Sequence, residues 1–242
     1  MRILVFQHLD IEHPGIFRDF LDADGIPWDV VELDAGDPIP DLDWYTALLV
    51  MGGPMDVWEE DRHPWLVPEK RAIRAAVLDR QMPYLGLCLG HQLLGDALGG
   101  RVGKARAPEV GVMQVQINGA GQADPLFAGI SPTMECLQWH GAAVLEPPPG
   151  ATVLASSPLC DVQAMRVGQH AYGIQFHVEV TAETVPQWSA VPEYEAALEK
   201  VLGVGAAATL ARETEVRLPA FARDARTLYD NFMGILRSRP AS

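Results

Sequence analysis

Residues 84–100 read YLGLCLGHQLLGDALGG. A short apolar run enters Gly86-Leu87-Cys88-Leu89-Gly90 and leaves as a helical stretch closed by Gly99-Gly100. No other segment restricts the local fold as much. A strand that becomes a helix across Gly-x-Cys-x-Gly carries its central residue on a sharp, strained turn. Neighbouring chains pass close to such a turn, so the positions two before and two after must be small. Gly86 and Gly90 meet that need. The following helix aims its first N–H groups and its positive dipole end at the turn. That setting favours a thiolate and leaves the Leu89 N–H free for an oxyanion. A core cysteine beside helix-packing glycines fits the same letters, and the segment alone leaves both readings open.

The surrounding chain supplies the frame. RILVF (2–6), WDVVEL (28–33), ALLVMGG (47–53) and MPYLGL (82–87) read as strands. Helical spacing of Ile16, Phe17, Phe20 and Leu21 predicts a helix over 14–24, and a second is expected over 68–80 with Pro68 in its first turn. A third is expected over 89–98. Strands alternating with helices predict a mostly parallel sheet with helices on both faces. Ligands of such sheets bind beyond the carboxyl ends of the strands. Cys88 and the Gly52-Gly53-Pro54 break both fall there.

From about residue 110 the texture changes. VGVMQVQI (110–117) and TMECLQWH (133–140) read as strands, and ATVLASS, DVQAMRVG and HAYGIQFHVEV read as a meander of three more. Helical segments are expected over 181–187, 194–202 and 218–237, with Pro186 and Pro192 interrupting the first. No linker divides the chain, so residues 1–190 are expected to form one domain and 191–242 a helical extension packed on it.

Composition removes several classes of function. A diffuse net charge of −14 argues against nucleic acid and anionic membrane surfaces as partners. No apolar run approaches the roughly 18 residues of a membrane span. The start, MRILVFQHLD, reads as a first strand without an export signal, which favours the cytoplasm. Cys88, Cys136 and Cys160 show no paired spacing, so neither a disulfide framework nor a metal site is expected. GGRVGKA (99–105) lacks the spacing of a phosphate-binding loop. No cofactor is expected.

A cysteine nucleophile needs a base. Of seven histidines, His177 in GIQFHVEV stands out, because it lies on an apolar run with Glu179 two residues on. On a strand, residues i and i+2 share a face. Glu179 can then fix the tautomer and orientation of the imidazole, the third role in a triad. His91 reads as a residue of the helix surface. Trp139 is a candidate for core packing.

Together, Gly52-Gly53-Pro54, YLGLCLGHQLLGDALGG, QWHG (138–141) and GIQFHVEV resemble the class I glutamine amidotransferases, across about residues 1–190. The resemblance is nearest to stand-alone, GMP synthase-like members. It implies a three-layer, flavodoxin-like α/β fold: an open, mostly parallel sheet with helices on both faces and a small antiparallel portion. It implies Cys88 as the nucleophile on a glutamine side-chain amide, His177 as its base and Glu179 as the residue orienting that base. It further implies an oxyanion hole from the Gly53 and Leu89 N–H groups. Gln92, Gln138, Trp139 and His140 would hold the substrate. Two positions depart from the family pattern. Val178 stands where the family usually has proline, and Ala142 where an aspartate often follows His-Gly.

The expected partners are glutamine or a γ-glutamyl compound and, for an ammonia donor, a separate synthase subunit. The roughly 50 residues after position 190 hold no second catalytic domain. Three activities stay open at this level. One is that of a glutaminase or the amidotransferase component of a synthase. The second is hydrolysis of γ-glutamyl peptides or conjugates. The third is silent binding or regulation on the same fold. The oligomeric state is not fixed.

Overall fold

Strand β1 (Ile3–Gln7) shows how the core is laid out. Ile3 and Val5 point to one face of the sheet, Leu4 and Phe6 to the other, and all are buried. A strand apolar on both sides belongs inside a sheet covered on both faces. The structure, a computed structural model, describes residues 1–238. β1 lies between β2 (Trp28–Glu32) and β3 (Ala47–Val50), both parallel to it. Beyond β3 come β4 (Tyr84–Leu87) and β9 (Ala171–Ile174), also parallel. The order β2-β1-β3-β4-β9 is the flavodoxin-like doubly wound order.

The same sheet continues without a break into an antiparallel part. Its strands are β8 (Ala164–Val167), β7 (Ala151–Ser156), β5 (Arg101–Ile117) and β6 (Thr133–Glu146). The expected β5 and β6 segments are longer than their apolar cores, because one hairpin extends both past polar residues. A short helix α4 (Gly119–Gln122) turns the chain between them.

Helices cover both faces. α1 (Phe17–Ala23) and α7 (Ala207–Arg237) pack over Ile3, Val5, Leu49 and Leu85. α2 (Leu66–Arg74) and α3 (Leu89–Ala97) pack over Leu4, Phe6, Leu48 and Val50. α2 starts two residues before Pro68, which sits in the first turn where its missing N–H costs nothing. A π turn, Ala75–Asp79, extends it. α5 (Thr184–Trp188) and α6 (Pro192–Leu202) follow β9. Pro192 opens α6, and α7 begins eleven residues before the apolar pattern at 218. Trp188, Tyr194, Leu198, Leu210 and Phe221 form a third apolar cluster with Val110, Leu137 and Trp139. This cluster adjoins the carboxyl ends of the parallel strands, where the site lies.

Candidate active site

Cys88 joins β4 to α3 with φ 51° and ψ −103°. Non-glycine residues rarely hold a positive φ, and one that does so costs about 1–3 kcal/mol unless its surroundings enforce it. The enforcing contacts are on both sides. The Cys88 N–H donates to Ile174 O at 2.8 Å, the Gly90 N–H to Met51 O at 3.1 Å, and the Tyr84 hydroxyl to Gly90 O at 2.7 Å. A Cβ on Gly86 would stand 2.4 Å from the Gly90 carbonyl, and one on Gly90 would stand 2.2 Å from Val50 O. The two glycines therefore let β3, β4 and the first turn of α3 meet, as the motif predicted. These bonds leave the Leu89 N–H out, at the N-terminus of α3.

Gly53 follows β3 and packs onto the same turn. A Cβ there would lie 2.9 Å from Cδ2 of Leu89 and 3.1 Å from Cβ of His8. The loop after β3 thus packs against the Leu89 side chain at the start of α3. His8 buttresses this loop. Its Nδ1 lies 2.8 Å from Gly52 O and its Nε2 lies 2.8 Å from Glu69 Oε1, with Trp65 stacked on the ring. Both partners are acceptors when Glu69 is ionised, so the ring then donates from both nitrogens. Burial disfavours that cation, but Glu69, the Gly52 carbonyl and Glu12 together outweigh it and raise the His8 pKa.

His177 and Glu179 meet, though not on a strand. β9 ends at Ile174, and His177 makes an isolated bridge with Leu137. The strand alternation expected for 177–179 is therefore absent. The contact arises from an irregular turn instead, with His177 Nδ1 2.6 Å from Glu179 Oε1. The other Glu179 oxygen accepts from the Val178 N–H at 2.9 Å. The valine that replaces the family's usual proline thus adds a hydrogen bond that a proline could not make. Gly15, at φ 53°, brings the β1–α1 loop against Glu179: a Cβ there would lie 1.8 Å from Glu179 O. The Ile16 N–H donates to that same oxygen at 2.9 Å. Trp188 meets the His177 ring edge-on at 4.5 Å between centroids. Burial works against a charged His177, yet Glu179 and Cys88 together hold its pKa well above the ordinary histidine value. Burial pushes the Cys136 thiol far up and the Cys160 thiol up to about 11, so neither competes as a nucleophile near neutral pH.

A cavity of about 100 Å³ opens beside Cys88. Gly53, Gln92, Trp139 and His140 line it, and so do Glu193, Tyr194 and Ala197 of α6. The Gln92 amide donates to Ala142 O and to Gln175 Oε1, both at 3.1 Å, and the Gln175 amide points at Cys88 Sγ from 3.6 Å. His140 Nδ1 also bonds Ala142 O, at 2.9 Å, while its Nε2 lies 3.2 Å from the buried Glu109. The position where the family often has aspartate therefore works through its backbone carbonyl, which alanine supplies equally. Gln138 is fully buried and does not line the cavity. His91 corrects the sequence reading. It is wholly buried against Gly173, because α3 enters the core with every residue from Leu89 to Gly95 covered. Burial lowers its pKa to about 3.

Sequence reasoning missed His8, Glu12, Glu69, Gln175, Trp188 and Tyr194. A signal existed for two of them. His8 and Glu12 follow the first strand at its carboxyl end, where the rule for parallel sheets puts ligands.

A parallel flavodoxin-like sheet with a cysteine elbow and a His–Glu pair at its carboxyl edge agrees with the comparisons to known proteins. The sequence model of the family Glutamine amidotransferase class-I matches residues 18–187, so the chain belongs to the class I glutamine amidotransferases. It is 39% identical over 144 residues to a glutamine-hydrolysing GMP synthase subunit of Sulfurisphaera tokodaii, a match covering 59% of this chain and 72% of that one. It is 32% identical over 193 residues to the glutamine amidotransferase-like protein YfeJ of Salmonella typhimurium, covering 76% and 78% respectively. The crystal structure of a glutamine amidotransferase from Thermotoga maritima superposes with a TM-score of 0.86 at 27% identity, covering 98% of this chain and 99% of that one. No helix among the described residues is long and apolar enough to cross a membrane.

Proposed function

We propose that this chain hydrolyses the γ-amide of glutamine, or of a γ-glutamyl compound, through a thioester on Cys88. The observation that carries the reading is the strained Cys88 turn beside a histidine that Glu179 holds at 2.6 Å. Cys88 Sγ attacks the γ-carbonyl carbon, and the carbonyl π pair moves to oxygen. The N–H groups of Gly53 and Leu89 stabilise that oxyanion. Collapse of the intermediate breaks the C–N bond as His177 gives its proton to the departing nitrogen, which leaves as ammonia or an amine. His177 then takes a proton from water, the hydroxide attacks the thioester, and Cys88 leaves as thiolate with glutamate free. Gln92, Trp139 and His140 hold the glutamyl part.

The same site serves a γ-glutamyl hydrolase or an ammonia donor. Glu193, Tyr194 and Ala197, which wall the cavity, lie beyond the residues matched by the family model. α6 thus helps to close the site, and the solved glutamine amidotransferase matched over 98% of this chain spans the same region. An ammonia donor would work beside a separate synthase chain, and the GMP synthase relatives are named as subunits. Glutamate release from glutamine and from γ-glutamyl dipeptides, with the wild type and Cys88→Ala, tests both. Turnover of glutamine that is lost in Cys88→Ala supports a glutaminase. Turnover of dipeptides alone supports the hydrolase. Unchanged turnover in Cys88→Ala removes the mechanism.

A further inference from the structure

Glu12 is a buried carboxylate that the mechanism above does not use. It follows β1, and its side chain lies inside the molecule next to the catalytic edge. One oxygen, Oε1, accepts a hydrogen bond from the Tyr194 hydroxyl of α6. The other, Oε2, is buried with no hydrogen-bond partner among the described residues. Gly52 fixes where Oε2 points. A Cβ built on Gly52 would lie 2.5 Å from Glu12 Oε2 and 3.5 Å from Cε1 of His177. The free oxygen and the histidine ring therefore border the same small space, against the residue that precedes Gly53.

We propose that Glu12 is a positioning residue for the reaction: a second carboxylate bearing on His177, latched by Tyr194, whose charge strengthens the thiolate–imidazolium pair of Cys88 and His177. The inference rests on the cysteine mechanism proposed above. Both members of the latch, Glu12 and Tyr194, lie outside residues 18–187, so the device does not belong to the segment that defines the family. Tyr194 also lines the cavity, so α6 closes the pocket and holds Glu12 with one side chain.

The groups facing Glu12 come from every element around it. His177 and Glu179 approach from the turn after β9, Tyr194 from α6, and His8 from the end of β1. Glu69 of α2 stands behind His8. Burial raises the Glu12 pKa most, the nearby Glu179 charge adds to it, and His177, Tyr194 and His8 oppose, leaving it at about 7. Glu12 therefore gains its charge near neutral pH. Ionised, it favours the imidazolium of His177 over the neutral ring, and hence the thiolate of Cys88. Protonated, it gives no such support.

Alkylation of Cys88 by iodoacetamide reads the thiolate directly and needs no substrate. The rate is followed against pH for the full chain, with mass spectrometry separating Cys88 from Cys136 and Cys160. The expected result is a rising step centred near pH 7 in the wild type. Glu12→Gln abolishes that step. Tyr194→Phe moves it to higher pH, because the tyrosine hydrogen bond lowers the Glu12 pKa. A latch that merely held α6 in place would change rates without moving the step. One profile shared by all three proteins overturns the inference, as does a wild type with no step near pH 7. Tyr194→Phe carries the test if Glu12→Gln does not fold. Preferential labelling of Cys136 or Cys160 instead overturns the nucleophile assignment itself, and the inference with it.

Discussion

At the residue scale, the two oxygens of one carboxylate carry much of the site. Glu179 gives one oxygen to His177 and the other to the Val178 N–H, so its plane is fixed from two sides. Glu179→Gln keeps the shape and removes the charge that favours the imidazolium. We expect kcat/KM to fall by about 10²–10⁴, as for neutral replacements of a triad acid, and the His177 pKa to drop in a ring-proton titration. An unshifted histidine would contradict the assigned role. Val178→Pro deletes the second bond and also restrains the backbone at 178 and at His177. Loss of one hydrogen bond to a carboxylate is worth about 1.5–3 kcal/mol, and we expect a partial loss of activity with KM little changed. Gly86→Ala brings a methyl within 2.4 Å of the Gly90 carbonyl. It should cost several kcal/mol by overpacking or force the Cys88 turn to relax. Chemical denaturation and glutamate release together distinguish those two outcomes. Of these features, the glycines and Cys88 were legible in the sequence, because a local turn imposes them. The role of the Val178 N–H was not, because it depends on where the Glu179 side chain folds back.

At the scale of elements, α6 and the β1–α1 loop decide how the site is closed. The α6 segment reads in sequence as an ordinary amphipathic helix, and its buried residues Tyr194 and Leu198 fit plain packing. Its place over the Cys88 cavity follows from contacts with Trp139 and Trp188, whose rings pack on Tyr194 at 6.0 and 5.7 Å. Replacing Glu193, which lines the cavity and is exposed to solvent, with Ala should therefore change KM for γ-glutamyl substrates more than kcat. An equal fall of kcat and kcat/KM would instead put Glu193 in the chemistry. The β1–α1 loop behaves similarly. Gly15 needs a positive φ and has no room for a Cβ beside Glu179, so this loop and the turn after β9 are built against each other. The expected helix over 14–24 shortens to Phe17–Ala23, since the residues before it are spent on that contact.

Over the whole molecule, burial of ionisable groups near one sheet edge makes stability depend on pH in two opposed ways. The Glu12 pKa is raised from 4.5 to about 7, so its contribution is fully favourable below 4.5 and is lost as pH rises through 7. Glu12→Gln should therefore stabilise the protein at about pH 8 by up to about 3 kcal/mol, with the gain vanishing toward pH 4.5 in urea unfolding. His91 acts in the other direction. Its pKa is lowered from 6.5 to about 3, so its neutral ring is stable above 6.5 and increasingly costly as pH falls toward 3. His91→Asn should flatten the acid side of the stability curve. The alternation of strands and helices, the Cys88 elbow and the candidate pair of His177 and Glu179 were legible in the order of residues alone. These depend on periodicity and on steric limits within a few residues. The tertiary structure decided what periodicity cannot encode. His91 is core because α3 runs under the sheet, and Glu179 reaches His177 through a turn rather than a strand. Glu12 and Tyr194, 182 residues apart, meet beside that histidine. Contacts between distant segments are set by how the two faces of the sheet are covered, and no local pattern of residues carries that information.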